Sequence, residues 1–239
     1  MINVENLTKK YAGRTVLNIP EINIEKGESF GLVGNNGAGK TTFFRLILDL
    51  IKASTGKVSS GGENVAKGEH WKKYTGSYLD EGFLIDYLTP YEYFNYVGKL
   101  NGIPAEEVKK FMEEMKSFLG NDIMDNRSYI RDLSKGNQKK VGIGAALMIR
   151  PEVLVLDEPF SNLDPTSQFQ LKSLLKEWQD KHQMCMLISS HDLNHVTEVC
   201  KRIVVLHEGE VVHDLETNPN TLSELEAYFA VKGDAAVEE

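Results

Sequence analysis

A run of small and polar residues, GNNGAGKTT, separates two apolar segments near the start of the sequence. Its glycines, Gly34, Gly37 and Gly39, allow a backbone bend in which the loop amides point inward at one anion. Lys40 can reach the terminal phosphates of a nucleotide, and the hydroxyl of Thr41 can ligate Mg²⁺. The spacing G-x-x-x-x-G-K-[ST] therefore predicts a phosphate-binding loop. The competing interpretation is a glycine-rich turn with an accidental lysine.

The segments on either side of this loop have the character that the motif requires. Ser29–Val33 has the apolar pattern of a strand, and a helix is predicted over residues 42–51. The N-terminus of that helix would carry a partial positive charge that attracts the anion. The residues predicted to contact the nucleotide here are Gly34, Asn35, Asn36, Gly37, Ala38, Gly39, Lys40, Thr41 and Thr42.

Two adjacent acids follow a second apolar segment. Val153–Leu156 is an unbroken apolar run, as expected for a parallel strand buried on both faces. At its end Asp157 can hold Mg²⁺ through water, and Glu158 can orient and polarise a water for attack on the terminal phosphate. A solvated turn is the alternative. A turn would not require a buried strand that delivers both acids to the carboxyl edge of a sheet, where ligands of open α/β sheets bind.

A histidine ends the next predicted strand in the same way. His191 follows residues 184–188, an apolar run, and can hydrogen-bond the terminal phosphate or the attacking water. A structural role is the alternative, and the predicted place at the carboxyl edge favours function. The other histidines show no ligand spacing; they are His70, His182, His195, His207 and His213.

The remaining pattern predicts the elements that must position these groups. Residues 2–7 and 22–25 alternate apolar and polar side chains, which predicts a strand-rich N-terminal part, the β subdomain. Thr89 followed by Pro90 and by Glu92 predicts a capped helix start. We therefore predict an α/β fold with a helical insert between two strand-rich halves.

These elements are predicted to form one domain over residues 1–230. The core and the β subdomain take residues 1–81 and 143–230, and the helical subdomain takes residues 82–142. A second helix of that subdomain is expected to begin near Ile103. The small, acidic end, residues 231–239, is expected to be disordered.

The bulk composition excludes several classes of protein. The 239 residues carry a formal net charge of -8, which argues against nucleic acid as a partner. Cys185 and Cys200 match no metal spacing, so we expect two reduced thiols in a reducing compartment. The start of the chain lacks the features of a signal peptide, and no window is apolar enough to span a bilayer. We expect any membrane role to come through a partner.

Taken in order, these motifs resemble those of an ATP-binding cassette, the ATPase subunit of an ABC transporter. The resemblance covers about residues 1–230. It implies an α/β P-loop NTPase (RecA-like) fold with a mainly parallel sheet, an N-terminal antiparallel β subdomain and an inserted α-helical subdomain. It implies that Tyr11 stacks on adenine, that Asp157 and Glu158 are the magnesium aspartate and the catalytic glutamate, and that residues 161–164 form the dimer-contacting D-loop. His191 matches the family's switch histidine.

The segment LSKGN, which begins at Leu133, resembles the family signature, usually LSGGQ. The resemblance implies that Ser134, Lys135, Gly136 and Asn137 contact the terminal phosphate of ATP bound to a second subunit. A serine hydroxyl and glycine amides at a helix start suit an anion. Lys135 replaces a glycine and either adds charge near that phosphate or points to solvent; we favour solvent. Similar lysine-bearing signatures occur in bacterial exporters, which favours export.

The family's Q-loop glutamine is missing from this chain. Asp80 aligns best with it and can still ligate Mg²⁺, although an ionised carboxylate donates no hydrogen bond. The insert that follows is aromatic, and in the family this face receives a coupling helix of the membrane subunit. Tyrosines suit a partly wet interface, and Phe94 is expected in the core. The aromatic residues are Tyr87, Tyr91, Tyr93, Phe94 and Tyr96.

The resemblance implies an enzyme that binds ATP and Mg²⁺, dimerises through the nucleotides and hydrolyses ATP, with Lys40, Glu158 and His191 in catalytic roles. Its expected partners are a second cassette, identical or not, and a permease carried on another chain, at the cytoplasmic face of the cell membrane. Alternatives are a soluble ABC ATPase that acts on a non-transport partner and a regulatory subunit without turnover. The three catalytic residues count against the second alternative.

Overall fold

The structure, a computed structural model, describes residues 1–124 and 127–235. Its strands form a four-stranded and a six-stranded sheet. The strands are β1 (Ile2–Tyr11), β2 (Arg14–Ile24), β3 (Ser29–Val33), β4 (Thr55–Ser60), β5 (Glu63–Asn64), β6 (Thr75–Tyr78), β7 (Val153–Leu156), β8 (Cys185–Ser190), β9 (Arg202–His207) and β10 (Glu210–Glu216). The α-helices are α1 (Lys40–Ile47), α2 (Pro90–Leu100), α3 (Ala105–Glu114), α4 (Lys116–Leu119), α5 (Asn121–Met124), α6 (Lys135–Met148), α7 (Pro165–His182), α8 (Leu193–Val199) and α9 (Thr221–Ala235).

The six-stranded sheet has the order β10-β9-β3-β8-β7-β6. All of its neighbouring pairs are parallel except β9 and β10, which form an antiparallel hairpin. Because β3, β7 and β8 run in one direction, their carboxyl ends meet at one edge, which is where ligands of such sheets bind. The predicted mainly parallel sheet is confirmed. Strand β6 was not predicted, since its TGSY sequence has no apolar run.

The four-stranded sheet is antiparallel, with the order β2-β1-β4-β5, and it confirms the predicted β subdomain. The two sheets share one hydrophobic core, to which β3 contributes Phe30 and Leu32. A second core lies on the other face of the parallel sheet and contains Phe94, which is fully buried as expected. In β7 alternate residues enter the two cores: Val155 the first and Leu156 the second.

The predicted end of the helical subdomain at residue 142 falls inside helix α6, which runs from Lys135 to Met148. Gly142 packs closely against the ring of Tyr78. The start of α2 is confirmed: Thr89 and Glu92 form a capping box, with Pro90 in the first turn. The second helix begins at Ala105 as expected and breaks at Met115, where α3 gives way to α4.

Two further boundaries differ from the prediction. Helix α1 begins at Lys40 and ends at Ile47, so it is shifted towards the phosphate loop relative to residues 42–51. Helix α9 reaches Ala235, within the tail that we expected to be disordered; residues 236–239 lie outside the described part. Across residues 1–124 and 127–235, no helix combines the length and hydropathy needed to cross a membrane.

Candidate functional site

The phosphate loop lies between the end of β3 and the start of α1. Gly37 and Gly39 have φ angles of 85° and 109°, a region that residues with a β-carbon avoid. A β-carbon on Gly34 would lie 2.3 Å from the carbonyl oxygen of Leu206, so close packing also demands glycine there. The predicted glycine-rich bend is therefore present, and α1 presents its N-terminus to it.

Lys40 is held inside this loop. Its side chain is 6% exposed, and Nζ donates to the carbonyl oxygens of Gly34 at 2.6 Å and Asn35 at 3.4 Å. The same ammonium lies 3.4 Å from Oε1 of Glu158. These partners neutralise a buried charge, and they hold a cation at the centre of the loop, where a polyphosphate requires one.

Asp157 has hydrogen bonds from two hydroxyls. Thr41 Oγ1 donates to Oδ2 at 2.5 Å, and Ser189 Oγ donates to Oδ1. Burial raises the pKa of Asp157, and the bonds from Ser189 and Thr41 oppose that rise. A hydroxyl and a carboxylate in contact supply the hard oxygen atoms that Mg²⁺ prefers, so Thr41 and Asp157 fit the predicted metal site. The ion would there neutralise charge on the phosphates.

The Glu158 carboxylate lies between the ammonium of Lys40 and the imidazole ring of His191. Oε1 faces Lys40, and Oε2 lies 2.8 Å from Nδ1 of His191 and 3.3 Å from its backbone nitrogen. His191 is about half exposed, which leaves its ring open to a bound ligand. The structure thus brings together the three residues predicted to be catalytic, at the carboxyl ends of β3, β7 and β8. This arrangement suits a base that orients water beside a cationic phosphate clamp.

Asp80 lies apart from this cluster. Its Oδ1 accepts the Gly82 N–H at 2.7 Å, and its Oδ2 lies 3.7 Å from Nη2 of Arg45. Both oxygens therefore have partners within the loop and α1. No hydrogen bond or ion pair among the described residues joins Asp80 to Thr41 or Asp157, so metal ligation by Asp80 stays a prediction.

The signature residues form the start of α6. Ser134 is the N-cap, and its Oγ accepts the Asn137 N–H at 3.2 Å. Lys135 is exposed, in agreement with the solvent alternative, and its Nζ lies 3.4 Å from Oε1 of Gln138. Within the described part of the chain, no hydrogen bond links residues 134–137 to the phosphate loop.

Tyr11 ends β1 and presents an exposed ring. The side chain is 48% exposed, and Nζ of Lys9 lies 4.8 Å from the ring centroid. An exposed aromatic face is available for stacking on a base. Adenine stacking by Tyr11 stays a prediction.

Two residues of the site were missed from the sequence. Ser189 contacts both acids, since it donates to Asp157 and accepts the Glu158 N–H at 2.9 Å. Lys139 is 4% exposed, and its Nζ donates to the Glu158 carbonyl oxygen at 2.7 Å. A serine at the end of an apolar strand was a usable signal for the first. No local pattern marks a lysine on α6 as buried.

The sequence is similar to those of known proteins. A family model described as ABC transporter matches residues 17–161, more than half of the chain. The bacitracin transport ATP-binding protein BcrA of Enterococcus faecalis is 34% identical over 218 residues, which are 90% of this chain and 69% of BcrA. The methionine import ATP-binding protein MetN of Carboxydothermus hydrogenoformans is 32% identical over 223 residues, 90% of this chain and 66% of MetN.

A solved structure shares the fold. An ATP-binding cassette, MJ0796, solved as a dimer in a post-hydrolysis state with ADP and phosphate, superimposes with a TM-score of 0.81 at 24% identity. The match covers 91% of this chain and 99% of that protein. The architecture of two sheets and an inserted helical subdomain is thus that of a cassette.

Proposed function

The chain belongs to the ATP-binding cassette family as an ATP-binding and ATP-hydrolysing subunit of an ABC transporter; from this membership we propose that it drives export through a permease carried on a separate chain. ATP binding would join it head to tail to a second cassette, identical or not. Hydrolysis would separate the two and so convert phosphoryl transfer into a change of shape. The subunit would work at the cytoplasmic face of the cell membrane.

One observation carries the catalytic part of this proposal: the Glu158 carboxylate lies between Lys40 and His191 at the mouth of the phosphate loop. In the proposed reaction Glu158 is the general base for water, and His191 holds that carboxylate and the terminal phosphate in place. Lys40 leaves the loop carbonyls for the phosphates, which offer stronger, charge-assisted acceptors. Thr41 and Asp157 would hold Mg²⁺, which would neutralise charge on the phosphates, and Asp80 is proposed as a further ligand.

The exposed signature supports the need for a second subunit. The signature residues lie at the N-terminus of α6, a position that suits an anion. In the part of the chain that the structure describes, Ser134, Gly136 and Asn137 make no hydrogen bond to the phosphate loop of the same chain. A partner's nucleotide would supply the missing anion. The regulatory alternative without turnover is disfavoured, because the residues for hydrolysis are present and in contact.

Exposed aromatic side chains support the proposed interaction with a permease. Phe83, Tyr87 and Tyr91 are each more than half exposed and lie beside the Q-loop and α2. Such residues are enriched where proteins meet. We propose that this surface receives a segment of the membrane subunit.

Co-purification tests the permease directly. The tagged chain is solubilised gently from native membranes, washed at high salt and analysed for bound proteins. A polytopic membrane protein that is lost in the Phe83→Ser variant, while ATPase activity remains, supports the proposal. Recovery only in the soluble fraction or on ribosomes would leave an ATPase and favour the alternative of a soluble ABC ATPase with a non-transport partner.

The direction of transport needs its own test, since the relatives include both a bacitracin transport and a methionine import protein. Export is favoured by the lysine in the signature segment. Deleting the chain should then make cells more sensitive to at least one toxic compound of a panel, and Glu158→Gln should fail to complement. A nutrient requirement without such sensitivity would instead indicate import.

A further inference from the structure

We propose that Lys139 is a positioning residue for ATP hydrolysis, which acts by fixing the backbone of Glu158 and the adjoining D-loop. The inference rests on the proposed role of Glu158 as general base and assigns a function to a lysine that the reaction itself does not use. Among the described residues, no hydrogen bond or ion pair joins Lys139 to the phosphate loop or to the carboxylate of Glu158, and its bonds go to the Glu158 carbonyl oxygen and Ser161 Oγ. It acts through the main chain that carries that carboxylate.

The contacts of Lys139 join three segments. Its Nζ donates to the Glu158 carbonyl oxygen at 2.7 Å and to Ser161 Oγ at 2.6 Å. Ser161 Oγ donates in turn to the same carbonyl at 2.9 Å. The carbonyl oxygen of Glu158 thereby links helix α6, the end of β7 and the D-loop.

The backbone at this oxygen needs such support. Glu158 has φ 47°, a left-handed conformation that a residue with a β-carbon rarely adopts. Strained conformations of this kind persist only where the surroundings hold them. Here the N–H of Glu158 is bound by Ser189, and its carbonyl is bound by Lys139 and Ser161. Release of the carbonyl would let the peptide relax and would move the carboxylate off its alignment.

Acidic residues near Lys139 offset part of the effect of its burial. Burial lowers the pKa of Lys139, whereas the charges of Glu81, Glu158 and Asp157 oppose that change. The ring of Tyr78 lies 6.0 Å from Nζ. A charged donor makes a stronger bond to a carbonyl than a neutral one.

Close packing of α6 on the D-loop supports the same link. A β-carbon on Gly136 would lie 2.7 Å from the carbonyl oxygen of Asn162, so the signature and the D-loop already touch without side chains. Asn162 also has positive φ, at 60°. Lys139 fixes this contact one helical turn further along. A change at the signature can therefore reach Glu158 through the D-loop.

A merely structural tether makes a different prediction. A tether would lower thermal stability when removed and leave turnover per folded molecule unchanged. A positioning residue lowers kcat while the affinity for nucleotide stays the same, because the phosphate loop is untouched.

The test uses the full chain with Lys139→Met, which keeps the length and apolar stem and removes the charge. We expect kcat to fall about 10-fold or more through misplacement of the base. The Kd for the non-hydrolysable analogue AMP-PNP with Mg²⁺, measured by calorimetry, should stay within about twofold of the unaltered chain. Ser161→Ala, which leaves Lys139 on the carbonyl, should give a smaller fall in kcat of about threefold.

Lys140→Met is the matched control, since it removes the next lysine of α6, whose Nζ lies 6.0 Å from the Phe118 ring centroid. It should keep kcat within about twofold. Folded Lys139→Met and Ser161→Ala proteins with unaltered kcat would overturn the proposal, as would a loss confined to Tm. If Lys139→Met does not fold, Lys139→Gln, which removes the charge and shortens the side chain, decides by the same criteria. Glu158→Gln in the same assay distinguishes failure of the proposed role of Glu158 from failure of the proposed role of Lys139. Full turnover in Glu158→Gln would contradict the general base. An inactive Glu158→Gln beside fully active Lys139 variants would contradict only the positioning role of Lys139.

Discussion

The two regions that the family's mechanism brings to one nucleotide are built in opposite ways in this chain. The phosphate loop with Asp157 and Glu158 lies at the edge of a buried sheet, and its side chains bind one another. At the start of α6, Ser134 and Lys135 are exposed and Gly136 and Asn137 are half-buried, and the side chains of Ser134 and Lys135 bond within the first turn of that helix. The first region is complete in a single chain. The second has the form of a site whose ligand a partner must bring.

This difference suggests that ATP binding and dimer closure are controlled by different regions. Burial and hydrogen bonds hold the first region in place before phosphate arrives, and Lys40 then exchanges its carbonyl acceptors for phosphate oxygens. An exposed anion site at a helix N-terminus gains its energy only when the anion arrives. Binding of ATP and closure of two chains can therefore be separate events. Variants in each region should separate them.

The largest effect is expected in the buried region. Glu158→Gln keeps the shape of the side chain and removes the base, so kcat should fall by about 10²–10³-fold. ATP binding should remain, and ATP with Mg²⁺ should trap a dimer in size-exclusion chromatography with light scattering. Glu152→Gln, at the opposite end of β7, is the control and should turn over normally. Wild-type turnover in Glu158→Gln would remove the role of general base.

A second change in the buried region should weaken ATP binding itself. Lys40→Met removes the ammonium from the loop, and we expect the affinity of the isolated chain for ATP to fall about 10- to 100-fold. Equilibrium binding of a fluorescent ATP analogue measures this loss. Lys26→Met, on the surface beside Glu152, is the control. Equal affinity in Lys40→Met would mean that the loop amides alone hold the phosphates.

A change in the signature should instead lower turnover and leave ATP affinity unchanged. Ser134→Ala should lower kcat about 10-fold by weakening dimer closure, whereas ATP affinity of the single chain should not change. This variant also removes a helix cap, so Thr89→Ala, which removes the cap of α2 away from the loop, serves as the control. An equal fall in kcat for both variants would indicate a loss of stability rather than of contact with the nucleotide.

The smallest effect is expected at the Q-loop. Asp80→Gln keeps an oxygen that can accept the Gly82 N–H, and it should change ATP affinity by no more than about twofold. Isothermal titration of ATP with and without Mg²⁺ provides the measurement. A loss of binding that depends on Mg²⁺ would show that Asp80 leaves Arg45 and ligates the metal. A loss without metal would show that the loop is wrongly assigned.

The sequence alone predicted the phosphate loop, because its glycines, Lys40 and Thr41 are neighbours and act within one turn of chain. It predicted the capped start of α2 for the same reason, since a cap involves residues three apart. The alternation of apolar runs gave the order of strands and helices, and so the fold class. Local chemistry sufficed for each of these features.

Tertiary structure alone decided which distant groups meet. Ser189 binds the backbone of Glu158 from 31 residues away, Lys139 from 19, and both depend on how β8 and α6 pack beside β7. Strand β6 forms because β7 offers it a ladder, although TGSY has no strand pattern of its own. Asp80 faces Arg45 because α1 lies beside the Q-loop. Hydrogen bonds and ion pairs between remote residues leave no periodic trace in a sequence, because their geometry exists only after the cores have formed.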